Sequence, residues 1–383
     1  MTVNRTDQLR RIKRHLAAAA VLFVTGCATT SAPSRVPAPS PSATPTSTQG
    51  GTAPLVQATW PVRTREHVDL WLHTYALLTA DSNLVPYFRR DYRDQVTAAR
   101  RQRGVSTLLE TNRARLIERM GVNPSLVTGP QFVPFYFGSW EDLRQAANLF
   151  VRSNGNPRAA SDQTMQAYFG VLAASFQTAA DREWLRLFVE AADDESRRFF
   201  HDYWLTESSS RAAAVARVDS LWQRTWRPSF QRFLNNTQQQ NGEVYLSLPL
   251  GGEGRTVHFG KVQNAVAVGM PDSPQNAEWA LYTFAHEIAG SVASTAIEDN
   301  TTPAERRAGT TSRYEQSAAV RAGALLLEKT IPSAVPGYMR FYLQAAGRSA
   351  PTDPKAAFMS TFALPDAIND AIARQLDVIL GGI

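Results

Sequence analysis

The sequence predicts a mainly helical fold with a small antiparallel β-sheet, an α+β arrangement. Three observations predict it. From residue 64 to about 235, apolar side chains recur at helical spacing, as in Val68, Trp71, Leu72, Tyr75 and Leu78. Between residues 243 and 269 the texture switches to short β-branched runs parted by glycine turns. Beyond residue 277 helical spacing returns and holds to the end. The 383 residues are 43% hydrophobic and 19% charged, which suits a packed body of one large domain or two modest ones.

Residues 1–26 carry Arg5, Arg10, Arg11, Lys13 and Arg14 ahead of an apolar run over 16–24. That run is too short to span a bilayer. It closes on Val24-Thr25-Gly26-Cys27, and Cys27 is the single cysteine of the chain, so no intrachain disulfide can form. In this order the residues resemble the lipobox signal of bacterial lipoproteins. The resemblance implies removal of residues 1–26, lipidation of Cys27 by palmitate-type chains, and attachment to a membrane of the cell envelope. Ala28 rather than Asp after the cysteine implies the outer membrane, facing the periplasm, where the organism has one. At about 0.8 kcal/mol per buried methylene, several acyl chains give a stable anchor.

Residues 28–59 are mostly Ala, Thr, Ser and Pro, a composition that cannot bury a core and reads as an extended tether. Residues 60–240 read as a helical region. Thr64 is the expected cap of its first helix, with further helices near 87–102, 108–120, 140–152, 161–180, 181–205 and 209–235. The aromatic stretch 131–138 reads as a strand or buried loop, and Ser139-Trp-Glu-Asp142 as a capping box. His67 and His73, six residues apart, point in different directions and read as separate hydrogen-bonded or solvated histidines. Arg100, Arg101 and Arg103 read as a solvated basic run, and Asp193-Asp194-Glu195 as an acidic helix surface.

Residues 241–383 form the second region. Strands are expected at 243–250, 255–259 and 264–269, with Gly251-Gly-Glu-Gly254 as a turn between the first two rather than a phosphate cradle. A buried helix is expected over 279–294, followed by a polar loop and helices over 313–329, 335–347 and 364–380.

Composition narrows the partners. Without residues 1–26 the formal charge falls from +6 to +2, with 35 basic and 33 acidic residues. The folded part lacks the basic excess of a nucleic-acid binder.

Chemistry concentrates on the 279–294 stretch. A catalytic zinc needs three protein ligands and an open position, and H-E-x-x-H supplies two of them from one helix face, with its Glu as general base. The stretch holds His286-Glu287, and Glu315-Gln-Ser-Ala318 opens the next long helix. Over residues 242–329 the chain resembles the gluzincin metallopeptidases. The resemblance implies a zincin-like fold for 241–383, with His286 as first ligand, Glu287 as general base and Glu315 as third ligand. Gly290 stands where the second histidine belongs, and it has no side chain to offer. His258, on a preceding strand, is the candidate to fill the gap. The cofactor expectation is therefore zinc with a substituted ligand, or none.

Glu315 also stands three residues after Ser312, the spacing of a capping box, and Gly290 with Ala289 and Ala293 could serve close helix packing. Three functions stay open: an envelope lipoprotein with an inactive metallopeptidase-like domain that binds a peptide or another envelope protein, an active zinc peptidase with a substituted ligand, and a structural lipoprotein unrelated to peptidases.

Overall fold

In the computed structural model the described residues are 60–80, 83–259, 263–309, 311–349 and 351–381. The signal, Cys27 and the tether lie outside them. Among the described residues no helix is long and apolar enough to cross a membrane.

The first helix, α1 (Glu66–Leu78), is buried from His67 to Leu78 because other elements cover every side of it. Trp71 and Tyr75 join Trp184 and Phe188 in one aromatic cluster. Their polar tips are satisfied: the Trp71 indole donates to the Pro130 carbonyl at 2.9 Å and the Tyr75 hydroxyl to that of Leu126 at 3.0 Å. The helix starts after Arg65 rather than Thr64, with no side-chain cap. The stretch expected as strand or buried loop is a buried 3-10 helix, Gly129–Tyr136. Pro130 and Pro134 remove two donors that a strand ladder would need. Ser139 caps the following helix, Trp140–Arg152, by accepting from the Asp142 N–H at 3.1 Å.

Asp194, Glu195 and Arg100 are buried rather than on the solvated faces expected of their runs, while Arg101 and Arg103 are exposed as expected. The helix α2 (Tyr92–Arg103) carries Arg100, α3 (Leu108–Val122) follows, and α4 (Ala179–Glu195) ends in the acidic run. Glu195 is fully buried and accepts from His73 Nε2 at 3.0 Å, Arg100 Nε at 3.0 Å and the Thr107 hydroxyl at 2.6 Å. Asp194 accepts from the Leu108 N–H at 2.8 Å, at the start of α3. Glu195 meets its opposite charge, Arg100, from another helix, which a count along one helix does not reveal, whereas Asp194 pairs with Arg198 four residues on. His67 and His73 are buried and separately hydrogen-bonded, the first to the carbonyls of Pro134 and Phe137, the second also to the Tyr92 hydroxyl.

The sheet has four strands, β1 (Val62–Arg63), β2 (Asn241–Ser247), β3 (Arg255–Phe259) and β4 (Gln263–Gly269), in the order β1-β2-β4-β3. It is mixed, not antiparallel as expected. β3 and β4 pair antiparallel, but β4 runs parallel to β2, Val244 opposite Val266, and β1 runs parallel to β2. β4 is central and buried without a break from Asn264 to Val268. A near-continuous apolar run of this kind marks a strand covered on both faces, as parallel strands are.

β1 comes from the start of the 60–240 region yet forms an edge of the sheet in the 241–383 region. Beside it the Trp60 indole donates to the Gln239 carbonyl at 3.1 Å and packs edge-on against Phe284.

The helix expected over 279–294 is two helices, α5 (Ala277–Ile288) and α6 (Gly290–Asp299), parted at Ala289 where ψ opens to −7°. Glycine is a poor helix former, and the break falls just before it. The helix α7 (Ser312–Thr330) then crosses α5, and α8 (Val335–Ala345) closes over both. Gly323 lets α7 approach: a Cβ there would stand 3.1 Å from the His286 Cα and 2.2 Å from the Tyr338 hydroxyl. Short helices that the sequence did not anticipate include Ser125–Thr128, Pro303–Arg307 and Pro354–Thr361.

Candidate functional site

His286 lies in the last turn of α5, pinned by the close approach of α7, with its side chain only 3% exposed. Its Nε2 points at the loop between β2 and β3. That loop is held from both sides. The N–H groups of Gly251 and Gly252 donate to the carbonyls of Tyr87 (2.7 Å) and Pro86 (3.1 Å), and the Tyr342 hydroxyl donates to the Gly252 carbonyl at 3.2 Å. Gly254 fits where no side chain could: a Cβ would stand 2.4 Å from the Ala267 carbonyl oxygen and 2.9 Å from Glu287 Cγ. The glycines thus press the loop against β4 and α5 and deliver Glu253 to His286.

Three side chains converge there. His286 Nε2 donates to Glu253 Oε2 at 2.9 Å and lies 3.6 Å from Glu287 Oε1. A donor atom from each of Glu253, His286 and Glu287 lies within 4.8 Å of the other two. Glu253 is braced by Gln316, whose Nε2 donates to Glu253 Oε1 at 2.8 Å and to the Val85 carbonyl at 2.8 Å, while its Oε1 accepts from the Val85 N–H at 3.0 Å. Glu287 Oε1 accepts from the Gly254 N–H at 3.1 Å. His286 Nδ1 is buried near the Ala319 carbonyl without closing a hydrogen bond of good geometry.

The charges follow from this packing. Burial pulls the His286 imidazole down, but the adjoining Glu253 and Glu287 carboxylates outweigh it and raise its pKa to about 9. Burial pushes Glu253 up, but the charge and hydrogen bond of His286 and the Gln316 amide outweigh that and hold it below the usual range. Burial also pushes Glu287 up, and His286 offsets it only in part. The site therefore holds an imidazolium–Glu253 ion pair with a second, more readily protonated carboxyl beside it.

His286 and Glu287 are brought together as expected; the other candidates stand apart from them. Glu315, in the first turn of α7, lies outside the cluster. It is half-buried, burial raises its carboxyl, and it makes no hydrogen bond or ion pair among the described residues. It is not a capping-box partner either, because the Ser312 hydroxyl donates to the Gly309 carbonyl at 2.7 Å. His258 is exposed on β3 and shares a hydrogen bond with Asn264 of β4, outside the cluster. Gly290 has nothing within 4 Å of a Cβ, so it does not serve close packing; Gly323 does. Cys27 lies outside the described residues.

Two residues of the site were missed. Glu253 reads in the sequence as part of a turn, and its partner His286 lies 33 residues away. Gln316 neighbours Glu315 and is the residue of α7 that reaches the site.

The gluzincin ligand set does not fit zinc here, since position 290 carries no donor and Glu315 stays outside. Glu253, His286 and Glu287 do offer one nitrogen and two oxygen donors at one point. No protein family, curated protein or solved structure matches the chain significantly.

Proposed function

We propose that this chain is a lipid-tethered protein of the cell envelope whose body derives from a gluzincin-like metallopeptidase and no longer cleaves peptides. Its place follows from the basic region, short apolar run and Val24-Thr25-Gly26-Cys27, continued by a tether that holds the body off the membrane. Where the organism has an outer membrane, the body faces the periplasm from it, and its partner is a peptide or another envelope protein.

One observation carries the loss of cleavage. The helix that offers His286 and Glu287 breaks at Ala289 and continues with Gly290, which offers no imidazole. The Glu287 carboxylate, free to work on water in the H-E-x-x-H arrangement, instead faces His286 and accepts from the Gly254 N–H.

Full-length protein and Cys27→Ser, expressed in a bacterium with lipoprotein processing and labelled with a fatty-acid analogue, test the anchor. The wild type is labelled and partitions with membranes, whereas the variant is unlabelled and released. Equal labelling of both would refute the anchor. Detergent-solubilised wild type, incubated with a broad peptide library with and without chelator, tests the rest. No chelator-sensitive cleavage is expected, and such cleavage, abolished by Glu287→Gln, would overturn the reading.

A further inference from the structure

We infer that Glu253, His286 and Glu287 together hold a divalent cation of the zinc class, through a donor set distinct from that of H-E-x-x-H. The inference rests on the proposed function in one respect: Glu287 is taken as a ligand, and so is no longer free as a base.

The first argument is spacing. Zinc bonds to nitrogen and oxygen at about 2.0–2.2 Å, which sets neighbouring donors of a tetrahedron about 3.4 Å apart. The two oxygens stand 2.9 Å and 3.6 Å from His286 Nε2, on either side of that value. All three donor atoms lie within 4.8 Å of one another.

The second argument is support. Ligands of a metal site are oriented by outer partners, and a ligating histidine typically directs its other nitrogen at a carbonyl or carboxylate. Both carboxylates have such a partner: Gln316 braces Glu253 and is itself clamped to both backbone groups of Val85. The Gly254 N–H holds Glu287, and His286 Nδ1 lies near the Ala319 carbonyl. Gly254 admits no side chain, so the loop cannot easily swing Glu253 away.

The third argument is charge. Zinc would take the place of the proton that His286 Nε2 shares with Glu253: loss of that proton leaves a neutral imidazole and two carboxylates in a largely buried place, and a dication neutralises both. One nitrogen and two oxygens suit zinc and its neighbours better than the all-oxygen shells of calcium or magnesium. The Glu253 and Glu287 side chains are 17% and 11% exposed against 3% for His286, so solvent reaches the site from the carboxylate side, where a water would complete the shell.

The test uses full-length protein in detergent, stripped with chelator and dialysed against zinc chloride, with bound metal counted by mass spectrometry and affinity measured by competition with a zinc dye. One zinc per chain is expected, with a rise in Tm. Glu253→Gln and His286→Gln should each weaken binding by about 100-fold or more. Glu315→Gln and His258→Gln should bind as wild type.

Circular dichroism checks that each variant folds. X-ray absorption on zinc-loaded wild type needs no variant: a shell of one imidazole with otherwise oxygen donors is expected, and two imidazoles would overturn the donor set. Zinc held equally well by Glu253→Gln, or lost from Glu315→Gln, would also overturn it, as would a wild type that retains no zinc. Bound zinc with chelator-sensitive cleavage keeps the site and refutes the loss of peptidase activity; no zinc and no cleavage does the reverse.

Discussion

Glu253 Oε2 accepts a hydrogen bond from His286 Nε2 at 2.9 Å. The two residues are 33 positions apart in the chain, and what joins them is a glycine loop with no room for a side chain.

Gly254→Ala tests that dependence. The new methyl would meet the Ala267 carbonyl oxygen at 2.4 Å and Glu287 Cγ at 2.9 Å, and the backbone contact cannot rotate away. The loop must shift, at a cost of about 2 kcal/mol or more. Urea unfolding should show the loss, and zinc affinity should fall with it. A variant as stable as wild type would mean that the loop is not wedged against β4.

Gly290→Ala should do the opposite. Nothing lies within 4 Å of the added methyl, and Gly290 is not among the residues with positive φ. Replacing glycine at the start of α6 should stabilise the protein by up to about 1 kcal/mol. A drop in Tm would reveal a close neighbour at this position.

The buried network around Glu195 supplies a third test. Burial pushes this carboxyl up, but the His73 hydrogen bond and the Arg100 guanidinium outweigh it and hold it down at about 2. Burial lowers the His73 pKa, and the Arg100 guanidinium supplies a permanent charge against that of Glu195. Arg100→Met leaves that charge unmatched and should cost about 3–5 kcal/mol. Adding Glu195→Gln to Arg100→Met should recover part of the loss, and strictly additive effects in a double-mutant cycle would rule out the coupling.

Asp69 gives stability a pH dependence. Burial raises its pKa from 3.8 to about 6, against hydrogen bonds from Ser247, Trp204 and the Leu248 N–H. With the folded value above the unfolded one, its contribution is complete below about pH 4 and lost as pH rises through 6. Relative to wild type, Asp69→Asn should therefore gain about 3 kcal/mol between pH 4 and pH 7.5, two pKa units of lost penalty. Urea unfolding of both proteins at the two pH values measures it; a difference independent of pH would show that Asp69 titrates normally.

Sequence by itself determined the local features. Helical spacing placed most helices, β-branched runs placed β2, β3 and β4, and an absent side chain at position 290 ruled out the second imidazole. These depend on neighbours within a few residues, which composition and periodicity record.

Tertiary structure alone decided the rest. The direction of β4 beside β2 depends on how the intervening loop crosses. The choice of Gln316 over Glu315 depends on how α7 is rotated against α5. The burial of Asp194 and Glu195 depends on partners from α1, α2 and the start of α3. The arrival of Glu253 at His286 depends on backbones passing closer than any side chain would allow. Each is a contact between distant segments, set by packing that excludes the alternatives, and no local pattern of residues encodes it.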